Sequence, residues 1–372
     1  MTLLNNWVIS PNNHGHSCWS TNKGGIPEIK PKWQIDKCAK YGAGWEFCAT
    51  DTQIYINSAD LLSVALDIET GEKIWEVILP DEATSSIAIN ANQICIAPYV
   101  LNQENGKIVD DLTRYGYSFQ PVEDVANEIF FINTTNEKKG VLCYHDTGYE
   151  FYDIPAGAIT SIGDGKRIVG IESGSLVCYS LEESRKQWSL RYPIGEDGSI
   201  LSPSSASYMV INHKIYMHVN YDTLRCVNID TGDIIWQSGP STIDENKPPL
   251  YRKAPSRFLG CEDTLYLGRD ISDDGFLQAR SVEDGRELWK VDASQARLFL
   301  IAGDLIFGAL NDVPVAWDRH TGEVVWNANK PMTAIFHAVA ASNKIIYTNT
   351  MSQMRCYEWT APYHSPEYLG SV

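Results

Sequence analysis

Three groups of residues in this sequence have side chains that bind metal ions or transfer protons. They are the neighbours Asp110 and Asp111, the carboxylates Asp270, Asp273 and Asp274, and the run His14-Gly15-His16-Ser17-Cys18. Paired carboxylates can act as general acid and base or as oxygen ligands of Ca²⁺, whereas His and Cys bind Zn²⁺. Each group therefore has to be judged by the elements around it.

None of the three groups is accompanied by the rest of a site. Asp110 and Asp111 occupy a strand position that other repeats fill with Trp, and the Asp270 to Asp274 segment ends in Asp-Gly, as hairpin turns do. A Ca²⁺ site in that segment is the alternative to a plain turn. The His14 to Cys18 run lacks further ligands at metal spacing, which favours a loop. We therefore predict no catalytic, cofactor-binding or metal-binding residues.

Other chemical motifs are also missing or ambiguous. There is no Gly-rich phosphate loop, no H-E-x-x-H and no G-x-S-x-G, and the sequon Asn133-Thr134-Thr135 matters only in a secreted chain. The nine cysteines include no C-x-x-C pair. Four of them lie on or beside a column of small apolar residues: Cys143, Cys178, Cys226 and Cys356. We interpret them as small core residues rather than disulfide or metal cysteines, which predicts a reducing compartment.

The element that organises the chain is a repeated hairpin. The segment Ala65 to Val77 reads A-L-D-I-E-T-G-E-K-I-W-E-V and recurs at Cys226 to Trp236, Ala279 to Trp289 and Ala316 to Trp326. In each copy, a small apolar residue stands six places before a Gly, and Trp follows four places after it. Alternating apolar positions around a turn that needs a positive φ at Gly predict two antiparallel strands.

The full set of repeats predicts a closed ring. The positions equivalent to the Trp of the hairpin are Trp33, Trp75, Asp110, Tyr152, Trp188, Trp236, Trp289 and Trp326. Two further strands precede each hairpin, for example Trp45 to Ala49 and Gln53 to Asn57. After Trp326 only three strands remain, at Ile335 to Val339, Lys344 to Thr348 and Arg355 to Glu358. The orphan strand at Trp33 supplies the fourth, and this pairing removes both free sheet edges.

The predicted fold is therefore all-β, an eight-bladed β-propeller of four-stranded antiparallel blades with about 40 residues per blade. Seven blades is the alternative if Trp33 lies outside the sheet. The predicted domains are an irregular N-terminal arm at 1–30, a single propeller domain at 31–360 and a C-terminal tail at 361–372.

The motifs L-D-I-E-T-G-E-K-I-W, N-I-D-T-G-D-I-I-W and D-R-H-T-G-E-V-V-W resemble the tryptophan-docking repeat of quinoprotein-type (PQQ-like) β-propellers. The resemblance covers about residues 32 to 359, with four close copies and four weak ones. It implies that each Trp packs between neighbouring blades and binds the turn of the next repeat. The structural docking residues would be Trp33, Trp75, Trp188, Trp236, Trp289 and Trp326.

The resemblance implies two classes of function. One is the pyrroloquinoline-quinone dehydrogenases, which usually have a vicinal Cys-Cys pair and a Ca²⁺ site. The other is cofactor-free scaffolds that resemble the outer-membrane assembly lipoprotein B. This chain has no adjacent cysteines, and none of its residues can be matched to a quinone ligand. We therefore predict a non-catalytic, cofactor-free, protein-binding scaffold. The alternative is a PQQ-dependent dehydrogenase, or another propeller enzyme such as a sugar-acting lyase or hydrolase that uses the central channel.

Charge narrows the choice of partner. The formal net charge of −17 argues against a nucleic-acid ligand, and no apolar run reaches membrane-spanning length. A basic protein, such as a toxin domain that the propeller neutralises or escorts, is the predicted partner. The N-terminal residues do not resemble a secretory signal, so we predict a cytoplasmic protein; a periplasmic one is the alternative if a leader was removed.

The expected binding surface is the rim with the longest loops. These loops run from Arg191 to Ser205, Ser238 to Pro255, Asn133 to Gly140 and Arg269 to Gly275. Tyr and Arg dominate interface energetics. The predicted partner-binding residues are accordingly Tyr251, Arg252, Lys253, Tyr192 and Tyr221. A solvated linker is the alternative interpretation of the segment from Ser238 to Pro255.

Overall fold

The structure, a computed structural model, contains strands connected by turns and loops. It describes residues 19–20, 23–36, 46–58, 61–80, 87–90, 93–96, 98–112, 119–125, 128–133, 140–145, 148–154, 159–162, 166–172, 174–191, 208–220, 223–238, 257–261, 263–269, 275–349 and 353–366. Within these ranges no helix has the length and hydrophobicity needed to cross a bilayer. The described strands form eight sheets, which we number by position in the chain.

Sheets 1 to 4 each contain four consecutive antiparallel strands. Sheet 1 consists of β3 (Glu46–Ala49), β4 (Gln53–Asn57), β5 (Leu62–Asp67) and β6 (Lys73–Ile78). Sheet 2 consists of β7 (Ala88–Asn90), β8 (Gln93–Ile96), β9 (Tyr99–Asn102) and β10 (Ile108–Asp111). Sheet 3 consists of β11 (Phe119–Val125), β12 (Glu128–Asn133), β13 (Gly140–His145) and β14 (Gly148–Tyr152). Sheet 4 consists of β15 (Ile159–Ile162), β16 (Arg167–Glu172), β17 (Ser175–Ser180) and β18 (Arg185–Arg191).

Sheets 5 and 6 repeat this plan, whereas sheets 7 and 8 also take a strand from the N-terminal part of the chain. Sheet 5 consists of β19 (Tyr208–Ile211), β20 (Lys214–Asn220), β21 (Thr223–Asn228) and β22 (Ile234–Ser238). Sheet 6 consists of β23 (Arg257–Gly260), β24 (Thr264–Arg269), β25 (Phe276–Ser281) and β26 (Glu287–Asp292). Sheet 7 consists of β1 (Trp19–Ser20), β27 (Ala296–Ala302), β28 (Leu305–Leu310), β29 (Val313–Asp318) and β30 (Val324–Asn327). Sheet 8 consists of β2 (Trp33–Ile35), β31 (Ile335–Ala341), β32 (Lys344–Asn349) and β33 (Met354–Glu358).

The two ends of the chain meet in sheet 8. Strand β2 pairs antiparallel with β33, with Trp33 opposite Cys356 and Ile35 opposite Met354. The amide of Lys32 also donates to the carbonyl of Cys356 at 2.8 Å. The predicted pairing of the Trp33 strand with the last three strands is therefore confirmed, and sheet 8 has four strands like most of the others.

Successive sheets contact one another through their first strands and their tryptophans. Among the described residues, β23 contacts β19 of sheet 5, β27 contacts both β23 and β31, and β31 contacts β3 of sheet 1. In the first half of the chain, β11 of sheet 3 contacts both β7 of sheet 2 and β15 of sheet 4. Indole hydrogen bonds connect sheet 1 to sheet 2 and sheet 4 to sheet 5. These contacts join the eight sheets in a cycle, with the first strand of each sheet toward the inside.

The sequence of each strand explains its place in the sheet. Second strands such as β4 and β28 are almost wholly buried, because neighbouring sheets cover both of their faces, and they consist mainly of apolar residues. Fourth strands such as β6 and β26 alternate exposed and partly buried residues, with Trp on the inward side. A β-bulge beside the Trp turns the preceding residue outward; Ile74 is one such residue.

The predicted strands agree with the structure to within three residues at their ends. Gln53–Asn57 is identical to the prediction, and the strand predicted from Ile335 to Val339 runs from Ile335 to Ala341. The structure adds one pairing within the predicted N-terminal arm. Residues Trp19–Ser20 pair in parallel with Ile301 and Ala302 on β27, because the inner edge of a first strand leaves backbone groups open to pairing.

Candidate functional site on the loop rim

Each sheet has two ends with different connections. We call the end with the first-to-second and third-to-fourth turns the turn rim. We call the opposite end, with the links between sheets and the second-to-third turns, the loop rim. The internal contacts of the turn rim determine which surface is left for a partner.

The turn rim is held together by indole hydrogen bonds between sheets. The Nε1 of Trp33 donates to the carbonyl of Ile68 at 3.0 Å, and the Nε1 of Trp75 donates to Gln103 at 2.7 Å. Three further bonds have the same geometry: Trp188 to Ile229 at 2.8 Å, Trp236 to Val282 at 3.1 Å and Trp289 to Arg319 at 3.0 Å. Each indole thus docks on the third-to-fourth turn of the following sheet.

The indoles require Gly in the turns that they cover. Gly285 has a φ of 72°, and a Cβ on it would lie 2.5 Å from the Trp236 ring. In sheet 4, the equivalent place is taken by Ser184 at a φ of 47°. The residue of sheet 3 that stands at the Trp position is Tyr152, which packs against the buried cluster that includes Leu181 of the sheet 4 turn. A ring smaller than indole leaves room for a side chain there.

Trp326 is the exception among the docking residues. It is 5% exposed, and its indole N–H has no hydrogen-bond partner among the described residues. The carbonyl at the equivalent place in sheet 8 belongs to Trp359, and it accepts from Asn343 Nδ2 at 3.0 Å instead. Sheet 8 has no third-to-fourth turn, because its outer strand comes from the other end of the chain. Trp326 packs instead edge-on against Tyr357 at 5.2 Å.

Both ends of the chain also cover part of the turn rim at sheet 7. The amide of Tyr363 donates to the carbonyl of Gly24 at 2.8 Å, and its hydroxyl donates to Asp318 at 2.8 Å. The amide of Ser365 donates to Asp304 at 3.2 Å. Burial alone would raise the pKa of Asp304, but hydrogen bonds from His320 and Ser365 outweigh it and lower that pKa. This rim is therefore engaged in internal contacts at sheet 7.

The loop rim is described most completely around sheet 7, where loop 328–334 links sheet 7 to sheet 8. This loop is anchored at several points. The amide of Ala328 donates to Pro314 at 3.0 Å, and the amide of Met332, a buried residue, donates to the carbonyl of Asp312 at 2.7 Å. Its exposed residues are Asn329, Lys330, Pro331 and Thr333. The loop thus presents polar and basic groups in a fixed conformation.

Two arginines fix the conformation of the loop through hydrogen bonds to backbone carbonyls. Arg297 donates to the carbonyl of Ile335 at 2.7 Å and forms an ion pair with Asp312. Arg355, which is 5% exposed, donates to the carbonyls of Lys330 and Pro331 at 3.2 and 3.1 Å. The surroundings of loop 328–334 are therefore basic, although the chain as a whole is acidic.

The backbone on this rim is locally strained. Gln295, Asn329 and Ala334 have φ values of 60°, 53° and 54°, in the left-handed region that disfavours side chains. Asn311 and Asp312, at φ of 51° and 61°, form the tight turn between β28 and β29. Such conformations persist only where surrounding contacts impose them, and they concentrate at functional sites. We therefore take loop 328–334 and its two arginines as the candidate site.

The predicted partner-binding residues lie outside the described residues. This holds for Tyr192, Tyr221, Tyr251, Arg252 and Lys253, as well as for the Asp270 to Asp274 segment and the His14 to Cys18 run. Sequence reasoning missed loop 328–334, because the loop is short and contains no aromatic residue. The non-Gly residues at positive φ that mark it leave no signal in the sequence.

The described residues show limited potential for redox or metal chemistry. No group of three His, Cys, Asp or Glu side chains among them could hold a metal ion. The seven cysteines that the structure describes are buried and unbridged. Burial raises the pKa of Cys226 to about 11 and that of Cys356 to about 12, so both thiols stay protonated at neutral pH. Asp110 lies on the outer strand β10, opposite Val100.

Four-stranded antiparallel sheets joined in sequence through inner strands define a β-propeller, and comparison with solved structures agrees. The computationally designed Ika8 protein matches with a TM-score of 0.65 at 13% identity, over 86% of this chain and 98% of that one. Quinohemoprotein alcohol dehydrogenase from Comamonas testosteroni matches with a TM-score of 0.58 at 11% identity, over 95% and 80%. The C-terminal WD40 domain of Sif2 matches with a TM-score of 0.58 at 12% identity, over 91% and 99%. At such identities these matches establish the fold alone.

The family follows from the sequence. Residues 125–328 match the family model described as "Outer membrane protein assembly factor BamB". The chain therefore belongs to this family of PQQ-like β-propellers, as the hairpin motifs predicted. A search of curated proteins finds no match.

Proposed function

We propose that this protein is an eight-bladed, non-catalytic propeller that binds another protein. The observation that carries the proposal is its membership of the family described as outer membrane protein assembly factor BamB. A rigid cycle of sheets, fastened on one rim by tryptophans and by the chain's own ends, leaves the loop rim for a partner. The eight sheets of the described residues support a blade count of eight, with residues 31–360 as one domain.

We further propose a basic partner, such as a toxin domain, and a cytoplasmic location. The charge of −17 supports the first part. In the described third-to-fourth turns of the turn rim, the exposed carboxylates are Glu69, Glu72, Glu104, Glu182, Glu183, Asp230, Asp233, Glu283, Asp284 and Glu323, whereas the exposed bases are Lys107 and Arg286. This negative charge attracts a basic protein to the molecule from a distance, and salt weakens the attraction, whereas the contact itself is proposed for the loop rim.

Affinity purification from the native cell, followed by mass spectrometry, tests the proposal. We expect a basic protein whose affinity falls by about tenfold or more between low and high salt. Tyr251→Ala combined with Arg252→Ala should weaken binding by more than about tenfold, because such residues anchor interfaces. Tyr149→Ala, on an outer strand, is the control. Exclusively acidic partners, or binding that ignores salt, contradict the electrostatic part, and an unaffected double variant contradicts the assigned loop.

The second candidate is an enzyme that uses the central channel, such as a quinone-dependent dehydrogenase. The fold supports it, since the alcohol dehydrogenase from Comamonas testosteroni shares the architecture over 95% of this chain. The absorbance and metal content of the purified protein, with and without pyrroloquinoline quinone and Ca²⁺, distinguish the two candidates. A quinone spectrum that appears with the added cofactor would favour the enzyme.

A further inference from the structure

The Arg355 guanidinium is a buried charge without an ionic partner among the described residues. Arg355 lies on β33 and is 5% exposed; its Nη1 donates to the carbonyls of Lys330 and Pro331. Its Nε has no hydrogen-bond partner in the same part of the chain. The sequence contains 47 acidic residues against 30 basic ones, so carboxylates are abundant. Burial of a charge is costly unless the charge is paired, and two neutral carbonyls compensate only part of that cost.

The charge of Arg297, the second arginine beside the same loop, is compensated by an ionic partner. Arg297 reaches the carbonyl of Ile335 and also forms an ion pair with Asp312. For Arg355, the ionisable group that interacts with the guanidinium is the hydroxyl of Tyr357. Burial raises the pKa of Tyr357, and the Arg355 guanidinium only partly opposes that rise. Tyr357 is therefore neutral at pH 7 and supplies no negative charge.

We propose that Arg355 and loop 328–334 form a binding site for an oxyanion, either a carboxylate or a phosphate. The planar guanidinium matches both groups, and its Nε edge has the donor that is still unsatisfied. Lys330 is exposed on the loop above and adds a second positive charge. Asn329 and Ala334, both at positive φ, hold the loop ends in conformations that are costly unless imposed. This site goes beyond the proposed scaffold function, because it rests on Arg355 and loop 328–334 and requires no protein partner.

Thermal unfolding of the full chain in three salts tests the site. The wild type, Arg355→Met and Arg280→Met are compared at pH 7 and equal ionic strength in sodium chloride, sodium acetate and sodium phosphate. Arg280→Met removes the same type of charge from sheet 6, where Arg280 also donates to a backbone carbonyl, that of Gly285 at 3.0 Å, and it is the matched control. We expect acetate or phosphate to raise the Tm of the wild type and of Arg280→Met by more than that of Arg355→Met.

The salts also distinguish the source of the oxyanion. A shift in acetate alone identifies a carboxylate, a shift in phosphate alone identifies a phosphoryl group, and a shift in both identifies a general oxyanion site. Arg355→Lys keeps the charge but loses the Nε edge, so its apparent affinity for the effective anion, measured by calorimetry, should fall about tenfold. This variant preserves the test if Arg355→Met does not fold. Equal anion shifts in all the variants that fold, or equal affinities of wild type and Arg355→Lys, would overturn the proposal and leave Arg355 as a loop anchor.

Discussion

Trp33 and Cys356 are opposite each other in sheet 8, although they lie near the two ends of the chain. The same tryptophan donates its indole N–H to Ile68 in sheet 1. Trp33 therefore pairs with the last strand of the chain within sheet 8, and it also connects sheet 8 to sheet 1. This double role makes the closure the place where a single change should affect the whole molecule.

Trp33→Ala should lower the free energy of unfolding by about 3 to 4 kcal/mol, because a large aromatic contact and a hydrogen bond are lost together. Urea unfolding at equilibrium measures the change. Trp33→Phe keeps the ring contact and should cost about 1 to 2 kcal/mol. An Ala variant as stable as the wild type would show that the closure contributes nothing to stability.

Trp289→Phe and Trp326→Phe should differ in cost, although both remove an indole N–H. The Trp289 N–H donates to Arg319, whereas the Trp326 N–H has no partner among the described residues. We expect Trp289→Phe to be more destabilising by about 1 kcal/mol, in line with one hydrogen bond. Thermal and urea unfolding of both variants give the difference. Equal costs would mean that the indole hydrogen bonds do not stabilise the ring.

Gly285→Ala should destabilise the protein by about 2 kcal/mol or more. Gly285 has a positive φ, and a Cβ would contact the Trp236 ring. Ser184→Gly is the matched control, because Ser184 already tolerates a side chain at the same turn position. Its effect should lie within about 0.5 kcal/mol of zero. A harmless Gly285→Ala would indicate that the indole can move away from the turn.

The closure should weaken in acid. Lys32 binds Glu69 at 2.7 Å and Glu358 at 2.8 Å, and these hydrogen bonds lower the pKa of both carboxyl groups. A lowered pKa stabilises the folded state above the unfolded value, about 4.3 for Glu, and this contribution is lost as pH falls through the folded value. Both carboxylates are partly exposed, so the effect should be about 1 kcal/mol or less.

The measurement is a comparison of wild type and Lys32→Met across pH. Their Tm values should differ at pH 7 and converge toward pH 3, as both glutamates become protonated in either protein. Lys73→Met is the control, since Lys73 pairs with Glu76 on the same strand and does not connect sheets. A difference between wild type and Lys32→Met that grows in acid would contradict the assigned sign.

Tyr363→Phe should loosen the C-terminal segment from sheet 7, because the phenol donates to Asp318. We expect faster hydrogen exchange at the Ser365 amide, which donates to Asp304 next to the same sheet. The global Tm should change little, since the segment lies outside the ring. Tyr99→Phe serves as a control in sheet 2. Unchanged exchange at Ser365 would mean that the two contacts are independent.

The sequence alone determined the repeated hairpin, the four-stranded sheets and the pairing of both chain ends. These features depend on local rules: a Gly at a positive φ, alternation of apolar residues along a strand, and the need to close a free sheet edge. Such rules act within or between neighbouring segments, so residue types such as Thr-Gly followed by Trp are enough to predict them. The same rules say nothing about loops without a repeat.

Only the tertiary structure revealed the parallel strand at Trp19–Ser20, the Trp326 indole without a hydrogen-bond partner among the described residues, and the buried charge of Arg355. Each depends on which backbone groups distant segments leave free. The side-chain amide of Asn343 donates to the Trp359 carbonyl, which is the equivalent of the acceptor that the other indoles use. The fold of loop 328–334 places the carbonyls of Lys330 and Pro331 next to Arg355. Competition for hydrogen-bond partners is settled in three dimensions, and a one-dimensional pattern does not record its outcome.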